Sequence, residues 1–360
     1  MKIGLGLYRH MLTADNYRFT RQTGATHIVA HLTNYFSGGT SLPGEQAGGG
    51  SWGLASSHVW TVDELAQLKR EIESEELTFA AIENFDPGQW YDILLDGPRR
   101  EEQLENVKTI LRNMGEVGIP VMGYAFSLAN VWGWSKGPWA RGGAIATGWV
   151  RDLAPQEVPI PNGQVWNMTY DPSAPPGDIG TVTEDQMWQR LGAFLQDVLP
   201  TAEKAGVRLA LHPADPPLPT LRGTGRLVYR PEMYQRVLDL VPSHNNALEY
   251  CVGTLSEMIS PEMDVYQATE SYSAQHKIAY VHLRNVHGKV PNYHEVFLDE
   301  GDTDMFRILE ILHTNQFDGV IIPDHVPEMT CTSPWHAGMA HAVGWIKASI
   351  AALDRFSGKG

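Results

Sequence analysis

The chain has 360 residues, of which 42% are hydrophobic, and a formal net charge of -15 at pH 7. That length fits two average domains or one large α/β barrel. Binding to nucleic acid or to an anionic membrane surface depends on clustered Lys and Arg, so the acidic balance argues against both partners and favours a small-molecule partner.

The sequence offers no sign of membrane insertion or export. No stretch approaches the roughly 18 apolar residues of a membrane helix, and Arg9 and His10 interrupt the first apolar run before it reaches signal-peptide length. We therefore expect a cytoplasmic protein. Cys251 and Cys331 are too few for a disulfide scaffold, and they leave thiol chemistry, metal ligation or one disulfide open.

Short β-type runs alternate with longer helical patterns from one end of the chain to the other. The predicted strands are residues 2–8, 27–31, 78–83, 120–126, 207–212, 247–251, 278–283 and 319–324. The helical patterns are residues 61–74, 99–117, 186–205, 231–240, 305–315 and 337–353, and the first of them opens with the capping-box spacing of Thr61 and Glu64. Eight strands alternating with helices predict a (β/α)8 TIM barrel, an α/β fold, as a single domain over residues 1–360.

The alternative α/β architecture is a doubly wound open sheet. Such a sheet usually carries a glycine-rich phosphate turn after its first strand. Here Gly4 and Gly6 lie inside the first strand pattern and no such turn follows it, so the barrel is favoured.

Two connections are unusually long, residues 33–59 after the second strand and residues 127–183 after the fourth. The first is rich in glycine, and the second contains Trp132, Trp134 and Trp139. Loops of this length in a barrel are usually lids or oligomer contacts, so we expect a homo-oligomer. The tryptophans fit packing within the loop or a subunit interface as well as a role above the substrate.

The residues at the ends of predicted strands five to eight are chemically distinctive: His212, Cys251 and Asp324 come last in their strands, and His282 comes one before the last. They are each about one βα unit apart, so in a barrel they come from adjacent strands and converge at the C-terminal mouth. A thiolate and a carboxylate together neutralise a divalent ion, and two imidazoles complete a set of four ligands. This set suits Mn²⁺, Fe²⁺, Co²⁺ or Zn²⁺ and disfavours Mg²⁺ and Ca²⁺. Any one of these residues alone is more often part of the core.

Further polar residues accompany the predicted strand ends. The candidates for substrate binding are Glu83, Asp215, Arg226 and Asn285. Arg284 is a catalytic candidate, and both it and Arg226 have the guanidinium group that holds a carboxylate in bidentate fashion. His325 and His336 are candidates for acid–base catalysis because imidazole titrates near neutral pH.

Between residues 207 and 325 the sequence resembles the D-mannonate dehydratases, a family of xylose isomerase-like barrels. The resemblance rests on an ordered set of motifs: HPADPP at 212–217, GTGR at 223–226, CVG at 251–253, HLR at 282–284, HE at 294–295, GDTDM at 301–305 and PDH at 323–325. Upstream it is limited mainly to VWTVDEL at 59–65 and the strand that ends in Glu83.

The resemblance implies a hydro-lyase that converts D-mannonate to 2-keto-3-deoxy-D-gluconate and water, usually with Mn²⁺. The residues that match the family's metal ligands are His212, Cys251, His282 and Asp324, and His325 matches a proposed catalytic histidine. This chemistry is coherent. Removing the proton next to a carboxylate adds negative charge to an anionic group, and a metal bound to that carboxylate offsets the charge.

The chain departs from the family pattern in two places. The family has two acidic residues where this chain has Ala214 and Asp215, and it has an acid–base tyrosine in the segment that here reads SPWH at 333–336. His336 in that place still carries a proton, although imidazole has a much lower pKa than phenol.

Two other hypotheses therefore stay open. One is a sugar isomerase, an epimerase or another carbon–oxygen lyase that uses the same metal site on a different sugar or sugar acid, since one fold supports many reactions. The other is a non-catalytic protein with a structural metal or none.

Overall fold

The computed structural model describes residues 1–35, 51–155 and 157–357. Its helices and strands account for all eight predicted strands and all six predicted helical patterns, with ends that differ by a few residues. Most of the predicted long connection after the second strand, including Gly38, Gly39 and the glycines at 48–50, lies outside the described residues.

A closed barrel of eight parallel strands forms the centre of the molecule. The strands, in chain order, are β1 (Lys2–Leu7), β2 (His27–Ala30), β3 (Thr78–Glu83), β4 (Val121–Tyr124), β5 (Trp134–Ala140), β6 (Ala144–Val150), β7 (Gln164–Val165), β8 (Met168–Thr169), β9 (Arg208–Leu211), β10 (Thr220–Leu221), β11 (Thr224–Gly225), β12 (Asn246–Cys251), β13 (Ile278–His282), β14 (Asn285–Lys289), β15 (Asn292–Val296) and β16 (Val320–Ile322). The barrel runs β1-β2-β3-β4-β9-β12-β13-β16 and closes between β16 and β1. The predicted fold is confirmed.

Helices surround the barrel. They are α1 (Ala14–Thr23), α2 (Val62–Glu73), α3 (Pro87–Leu95), α4 (Arg100–Val117), α5 (Glu184–Ala205), α6 (Met233–Leu240), α7 (Val252–Glu257), α8 (Val265–Ala274), α9 (Met305–Thr314) and α10 (Pro334–Phe356). The predicted capping box opens α2: the Thr61 amide donates to Glu64 Oε2 at 2.8 Å, and the Glu64 amide donates to Thr61 Oγ1 at 3.3 Å. Each bond satisfies an amide that the first helical turn leaves without a partner.

Two packing layers fix the barrel. Large apolar side chains fill the space between the strands and the helices. A separate buried cluster on the barrel strands contains five alanines, Ala80, Ala81, Ala210, Ala247 and Ala279, beside larger residues such as Tyr280 and Ile322. Because side chains alternate between the two faces of a strand, the inward positions near the C-terminal ends are left to polar residues.

The long segment after β4 is an ordered part of the structure over residues 127–155 and 157–183. It supplies β5 and β6, which pair with β14 and β15 in a four-stranded antiparallel sheet of order β14-β15-β6-β5. This accessory sheet joins the segment after the fourth barrel strand to the segment after the seventh. Both segments leave the C-terminal ends of barrel strands, so the sheet stands on the side of the barrel where catalytic residues are expected.

Candidate active site

A cavity of about 90 Å³ lies at the C-terminal end of the barrel. The candidate site residues that line it are Glu83, His212, Asp215, Arg226, His282, Asp324 and His325. Aromatic side chains also face it, among them Tyr8, Tyr35, Trp52 and Trp134. The structure therefore brings most of the predicted site residues together in one place.

The four predicted metal ligands lie at the C-terminal ends of four adjacent barrel strands: Cys251 and His282 are the last residues of β12 and β13, and His212 and Asp324 come just after β9 and β16. His212, Cys251 and His282 each offer a ligand atom, and these three atoms all lie within 4.8 Å of one another. Asp324 completes the group, with Oδ1 lying 3.7 Å from His282 Nδ1. Cys251 is fully buried and is not part of a disulfide.

The two imidazoles each have one ring nitrogen engaged. His212 Nδ1 lies 2.7 Å from the carbonyl oxygen of Pro213; because a carbonyl only accepts, Nδ1 carries a proton, and Nε2 is the nitrogen that a metal can use once any proton on it is displaced. His282 Nε2 lies 3.2 Å from Glu83 Oε2, and its Nδ1 is buried without a hydrogen-bond partner among the residues described. The ring nitrogens that remain are suited to a metal.

Electrostatics favours a thiolate at Cys251. Burial alone raises the pKa of the thiol, but the Arg284 guanidinium and hydrogen bonding with His212 outweigh burial and lower it to about 5. The His212 pKa moves the other way: burial opposes protonation, yet the hydrogen bond with Cys251 and the charge of Glu249 raise it to about 9. The pair is thus a thiolate beside an imidazolium when no metal is bound. A thiolate, two imidazoles and a carboxylate fit a divalent transition metal.

His325 lies beside the candidate ligands with a carboxylate behind it. Its Nδ1 is 2.8 Å from Glu295 Oε1, its Nε2 is 3.6 Å from Asp324 Oδ1, and its ring meets Trp134 edge-on at 5.2 Å between centroids. Burial opposes protonation, but the charges of Asp324 and Glu295 raise the His325 pKa to about 9. Since Glu295 engages Nδ1, Nε2 is the nitrogen available to act on a substrate.

Arg284 is placed differently from its predicted role. Its guanidinium is buried behind the cavity wall, 2.7 Å from Asp215 Oδ2, 2.6 Å from Glu295 Oε1 and 3.2 Å from Glu257 Oε1, and it is not among the cavity-lining residues. These carboxylates engage both terminal nitrogens of the guanidinium, and the remaining nitrogen, Nε, lies 3.5 Å from Asp324 Oδ2. The arginine instead organises the residues behind Cys251 and His325.

Asn285 also lies away from the cavity. Its side-chain amide donates to the carbonyl oxygens of Leu298 and Thr303, both at 2.9 Å, and its oxygen accepts from the Val286 amide at 3.0 Å. The side chain therefore ties the segment after β15 to β14. Its hydrogen-bonding capacity is used within the fold.

Asp215 and Arg226 do reach the cavity, and they touch each other. Arg226 donates to the backbone carbonyl of Asp215 at 3.1 Å and to that of Asn130 at 2.5 Å. The Asp215 carboxylate accepts from Tyr293 at 2.8 Å and from Thr254 at 3.0 Å, in addition to Arg284. Ala214, the position where the family pattern has an acid, is also part of the cavity wall.

The structure does not bring His336 to the site. This residue lies in the first turn of α10, where Nε2 is 3.1 Å from Asn16 Oδ1 and the ring contacts Phe19 at 4.7 Å between centroids. Both partners belong to α1. The helix begins at Pro334, and this start fixes the direction of the His336 side chain toward α1 and away from the cavity.

Several cavity residues were not identified from the sequence, and three of them can carry or hold a proton: Tyr8, His31 and Glu249. The first two end predicted strands, so the reasoning that selected His212 would have found them. Glu249 precedes Cys251 by two residues and faces the same way because strand side chains alternate. Burial and the charge of Glu83 raise the Glu249 pKa, whereas His31 and His282 overcome the effect of burial and lower that of Glu83.

Across residues 1–35, 51–155 and 157–357, none of the helices combines the length and the apolar character needed to cross a membrane.

Comparison with known proteins assigns the chain to a family. The sequence model described as D-mannonate dehydratase (UxuA) matches residues 21–145 and 178–348. The segment that separates the two matched parts contains most of β6 and all of β7 and β8.

Individual relatives agree. A mannonate dehydratase from Streptococcus equi subsp. zooepidemicus is 31% identical over 282 residues, which cover 74% of this chain and 75% of that protein. One from Streptococcus pneumoniae is 30% identical over 282 residues, with 74% of each protein covered.

Solved structures show the same relationship. The crystal structure of mannonate dehydratase from Streptococcus suis serotype 2 superposes with a TM-score of 0.78 at 26% identity, covering 100% of this chain and 95% of that one. A structure of L-ribulose 3-epimerase superposes with a TM-score of 0.57 at 15% identity, covering 99% of this chain and 97% of that one, and shares the fold alone. Because the family model matches residues 21–145 and 178–348, which together make up most of the sequence, this chain belongs to the D-mannonate dehydratase family of hydro-lyases.

Proposed function

We propose that the chain is a metal-dependent dehydratase of a sugar acid, and that it converts D-mannonate to 2-keto-3-deoxy-D-gluconate and water. The observation that carries this proposal is that His325 lines one cavity with three of the candidate ligands, His212, His282 and Asp324, while the fourth, Cys251, is buried beside the two histidines. Removing a proton from the carbon next to a carboxylate needs a base for that proton and a positive charge near the carboxylate. His325 and the candidate metal ligands are groups of these two kinds.

The metal would be held by His212, Cys251, His282 and Asp324. When bound, a divalent ion supplies positive charge that favours the enolate form of the substrate carboxylate. Mn²⁺ is the leading candidate, and Fe²⁺, Co²⁺ and Zn²⁺ suit the same ligands.

His325 is the proposed base at C2 of the sugar acid. It acts in its neutral form, and the fraction of neutral imidazole grows as the pH rises toward the His325 pKa of about 9. Glu295 holds Nδ1 of the ring, so Nε2 faces the cavity and takes the C2 proton. The hydroxyl then leaves C3 as water with the proton that His325 took from C2, and the resulting enol loses its O2 proton and gains one at C3 from solvent to give the 2-keto acid. The charge of Glu295 stabilises the imidazolium that forms in the first step.

Glu83, Asp215 and Arg226 are the proposed substrate-binding residues because they line the same cavity. Arg226 retains one guanidinium nitrogen, Nε, without a hydrogen-bond partner among the described residues. A buried donor of this kind is costly unless something accepts its hydrogen bond, and a substrate hydroxyl or carboxylate oxygen meets that need.

A second candidate function is the conversion of a different sugar or sugar acid by the same metal site. Ala214 in the cavity wall favours this candidate, because a methyl group stands where the family pattern places an acid. A lost carboxylate removes an acceptor for a substrate hydroxyl, and this alters the preference among stereoisomers.

The experiment is a substrate panel. Protein loaded in turn with Mn²⁺, Fe²⁺, Co²⁺ and Zn²⁺ is incubated with stereoisomeric aldonates and with aldoses, and the formation of 2-keto acids and ketoses is followed by chromatography. Formation of a keto-deoxy acid from mannonate supports the first candidate. If mannonate gives none while another acid or a sugar turns over, the second candidate replaces it, and a Cys251→Ser variant controls for contaminating activity.

A further inference from the structure

Two carboxylates that take no part in the proposed proton transfers lie beneath the metal site. Glu83 Oε2 is 3.2 Å and Glu249 Oε1 is 3.4 Å from the same atom, Nε2 of His282. All three side chains are buried inside the barrel, with 8% or less of each exposed. Two buried carboxyl groups so close together cost free energy of folding, because burial and mutual repulsion both oppose their ionisation. Their contacts show what they contribute in return.

The barrel places them by strand register. Glu83 ends β3, whereas Glu249 lies on β12, next to β13, whose last residue is His282. The Tyr280 hydroxyl donates to Glu83 Oε2 at 3.2 Å. On β4, Gly123 leaves room for these groups, because a Cβ at that position would overlap the Tyr280 hydroxyl and a Glu249 oxygen.

The contacts of His282 divide between its two nitrogens. Nε2 faces Glu83 and Glu249, and Nδ1 faces Asp324 at 3.7 Å, on the side of the candidate metal ligands. An imidazole that binds a metal through one nitrogen carries its proton on the other, and the acceptor of that proton fixes both the tautomer and the ring orientation.

We propose that Glu83 and Glu249 are positioning residues for the metal: together they hold the His282 proton on Nε2 and so present Nδ1 as the ligand. The proposal rests on the metal site of the proposed function and adds a role for two side chains that are not themselves ligands in it. In His212 the nitrogens have the opposite roles: Nδ1 is held by a neutral partner, the carbonyl oxygen of Pro213, and Nε2 is left for the metal. His282 is therefore the candidate ligand whose ring orientation depends on buried carboxyl groups.

The test uses Glu83→Gln, Glu249→Gln and the double variant. Glutamine keeps the shape of the side chain and replaces the carboxyl group by a neutral amide that accepts hydrogen bonds through one oxygen only. The matched control is Glu257→Gln, which removes an equally buried carboxylate that contacts Arg284 and no imidazole. Metal affinity is measured by competition with a chelator, and the tautomer of His282 is read from the ¹⁵N spectrum of histidine-labelled protein with Zn²⁺, with His282→Gln to assign the signal. Thermal unfolding of the metal-free proteins checks that each variant folds.

We expect the double variant to bind metal about 10- to 100-fold more weakly than the unaltered protein, each single variant to lie between, and the control to stay within about threefold. The spectrum of the unaltered protein should show His282 protonated at Nε2 and metal-bound at Nδ1. Unchanged affinity and tautomer in a folded double variant would overturn the proposal. So would two metal equivalents per chain with one lost in Glu249→Gln, because an ion would then occupy the place assigned to the proton.

These outcomes separate the inference from the reaction. Metal affinity and tautomer are measured without substrate, so a protein that shows the expected changes but dehydrates no aldonate retains the positioning role and loses the proposed function. A protein that dehydrates mannonate while the double variant binds metal normally retains the function and loses the positioning role. A chain that binds none of the four metals overturns both.

Discussion

At the scale of single residues, the imidazoles of His325 and His336 differ in their position: the first lies at the cavity and the second does not. Both follow the last barrel strand, and the sequence makes both candidates for acid–base work. His325 lies between Glu295 and the cavity, whereas His336 faces Asn16 on α1. Proton transfer requires a group within hydrogen-bonding reach of the substrate, so geometry separates two residues that composition treats alike.

We predict that His325→Gln lowers kcat by about 100-fold or more, the usual contribution of a positioned acid or base. Metal content should be unchanged because His325 is not one of the four candidate ligands. The measurement is steady-state turnover of the best substrate from the panel, with bound metal determined on the same samples. His336→Phe is the comparison, and we expect it to retain turnover within about threefold. If His336→Phe folded normally but lost most of its turnover, His336 would be an acid–base residue after all.

The charge state of the ligands makes metal binding depend on pH. The pKa of His212 is raised to about 9 and that of Cys251 is lowered to about 5. Near neutral pH the metal-free site therefore holds a proton on His212 that a metal must displace, while the thiolate is already formed. Raising the pH toward 9 removes this competing proton, so affinity rises with pH.

The expected slope is a decrease in apparent Kd of about tenfold per pH unit for each proton displaced, from slightly acidic pH up to the pKa of His212. Titration calorimetry in buffers of different ionisation enthalpy measures both the affinity and the number of protons released. A Kd that stays constant between slightly acidic and slightly alkaline pH, with no proton release, would contradict this charge assignment.

At the scale of elements, the inward face of β4 shapes the floor of the site. Gly123 lies opposite Tyr280 and Glu249, and there is no room for a methyl group between them. The small residues of the barrel interior thus have two functions. They close the barrel, and they leave space for the polar side chains near its mouth.

We predict that Gly123→Ala destabilises the protein by about 1–3 kcal/mol, the usual cost of forcing extra volume into a packed interior. It should also weaken metal binding, because Glu249 must move. Gly344→Ala is the control: a Cβ added to this helical glycine would meet no atom within 4 Å, and the change should be neutral or stabilising by about 0.5–1 kcal/mol. Denaturant unfolding compares the two. If the two variants had equal free energies of unfolding, the side chains around Gly123 would move aside more easily than these contacts imply.

At the scale of the whole molecule, the site is built from segments distant in the chain. Strands β9, β12, β13 and β16 each supply one candidate ligand, and the accessory sheet brings Trp134 and Glu295 to His325. A metal that binds only when these elements are assembled stabilises the folded state by mass action.

We predict that adding Mn²⁺, Fe²⁺, Co²⁺ or Zn²⁺ to metal-free protein raises the temperature of unfolding. At a free metal concentration of about 100 times Kd the stabilisation is about 2.7 kcal/mol. Scanning fluorimetry or calorimetry measures the shift. Cys251→Ser should lose most of it, and an equal shift in both proteins would place the stabilising metal elsewhere.

The patterns in the sequence were sufficient for the barrel and for most of the site. Strand runs predicted to end at or one residue after His212, Cys251 and His282 show where each strand emerges, and parallel strands in a closed barrel bring those ends together whatever the loops do. Helix α3 was missed because seven of its nine residues are buried, which removes the one-sided periodicity that reveals a helix. The accessory sheet was missed because its strands pair across long sequence separations.

What the sequence by itself determined was the fold, the family and the group of candidate ligands, because alternation, spacing and residue type are local properties of the chain. What only the tertiary structure decided was the direction of individual side chains. Arg284 turns toward Asp215, Glu257 and Glu295 and away from the cavity, and His336 turns toward α1. Glu249 turns inward beneath His282. Such directions depend on which charges and surfaces the fold places nearby, and those neighbours come from distant parts of the chain.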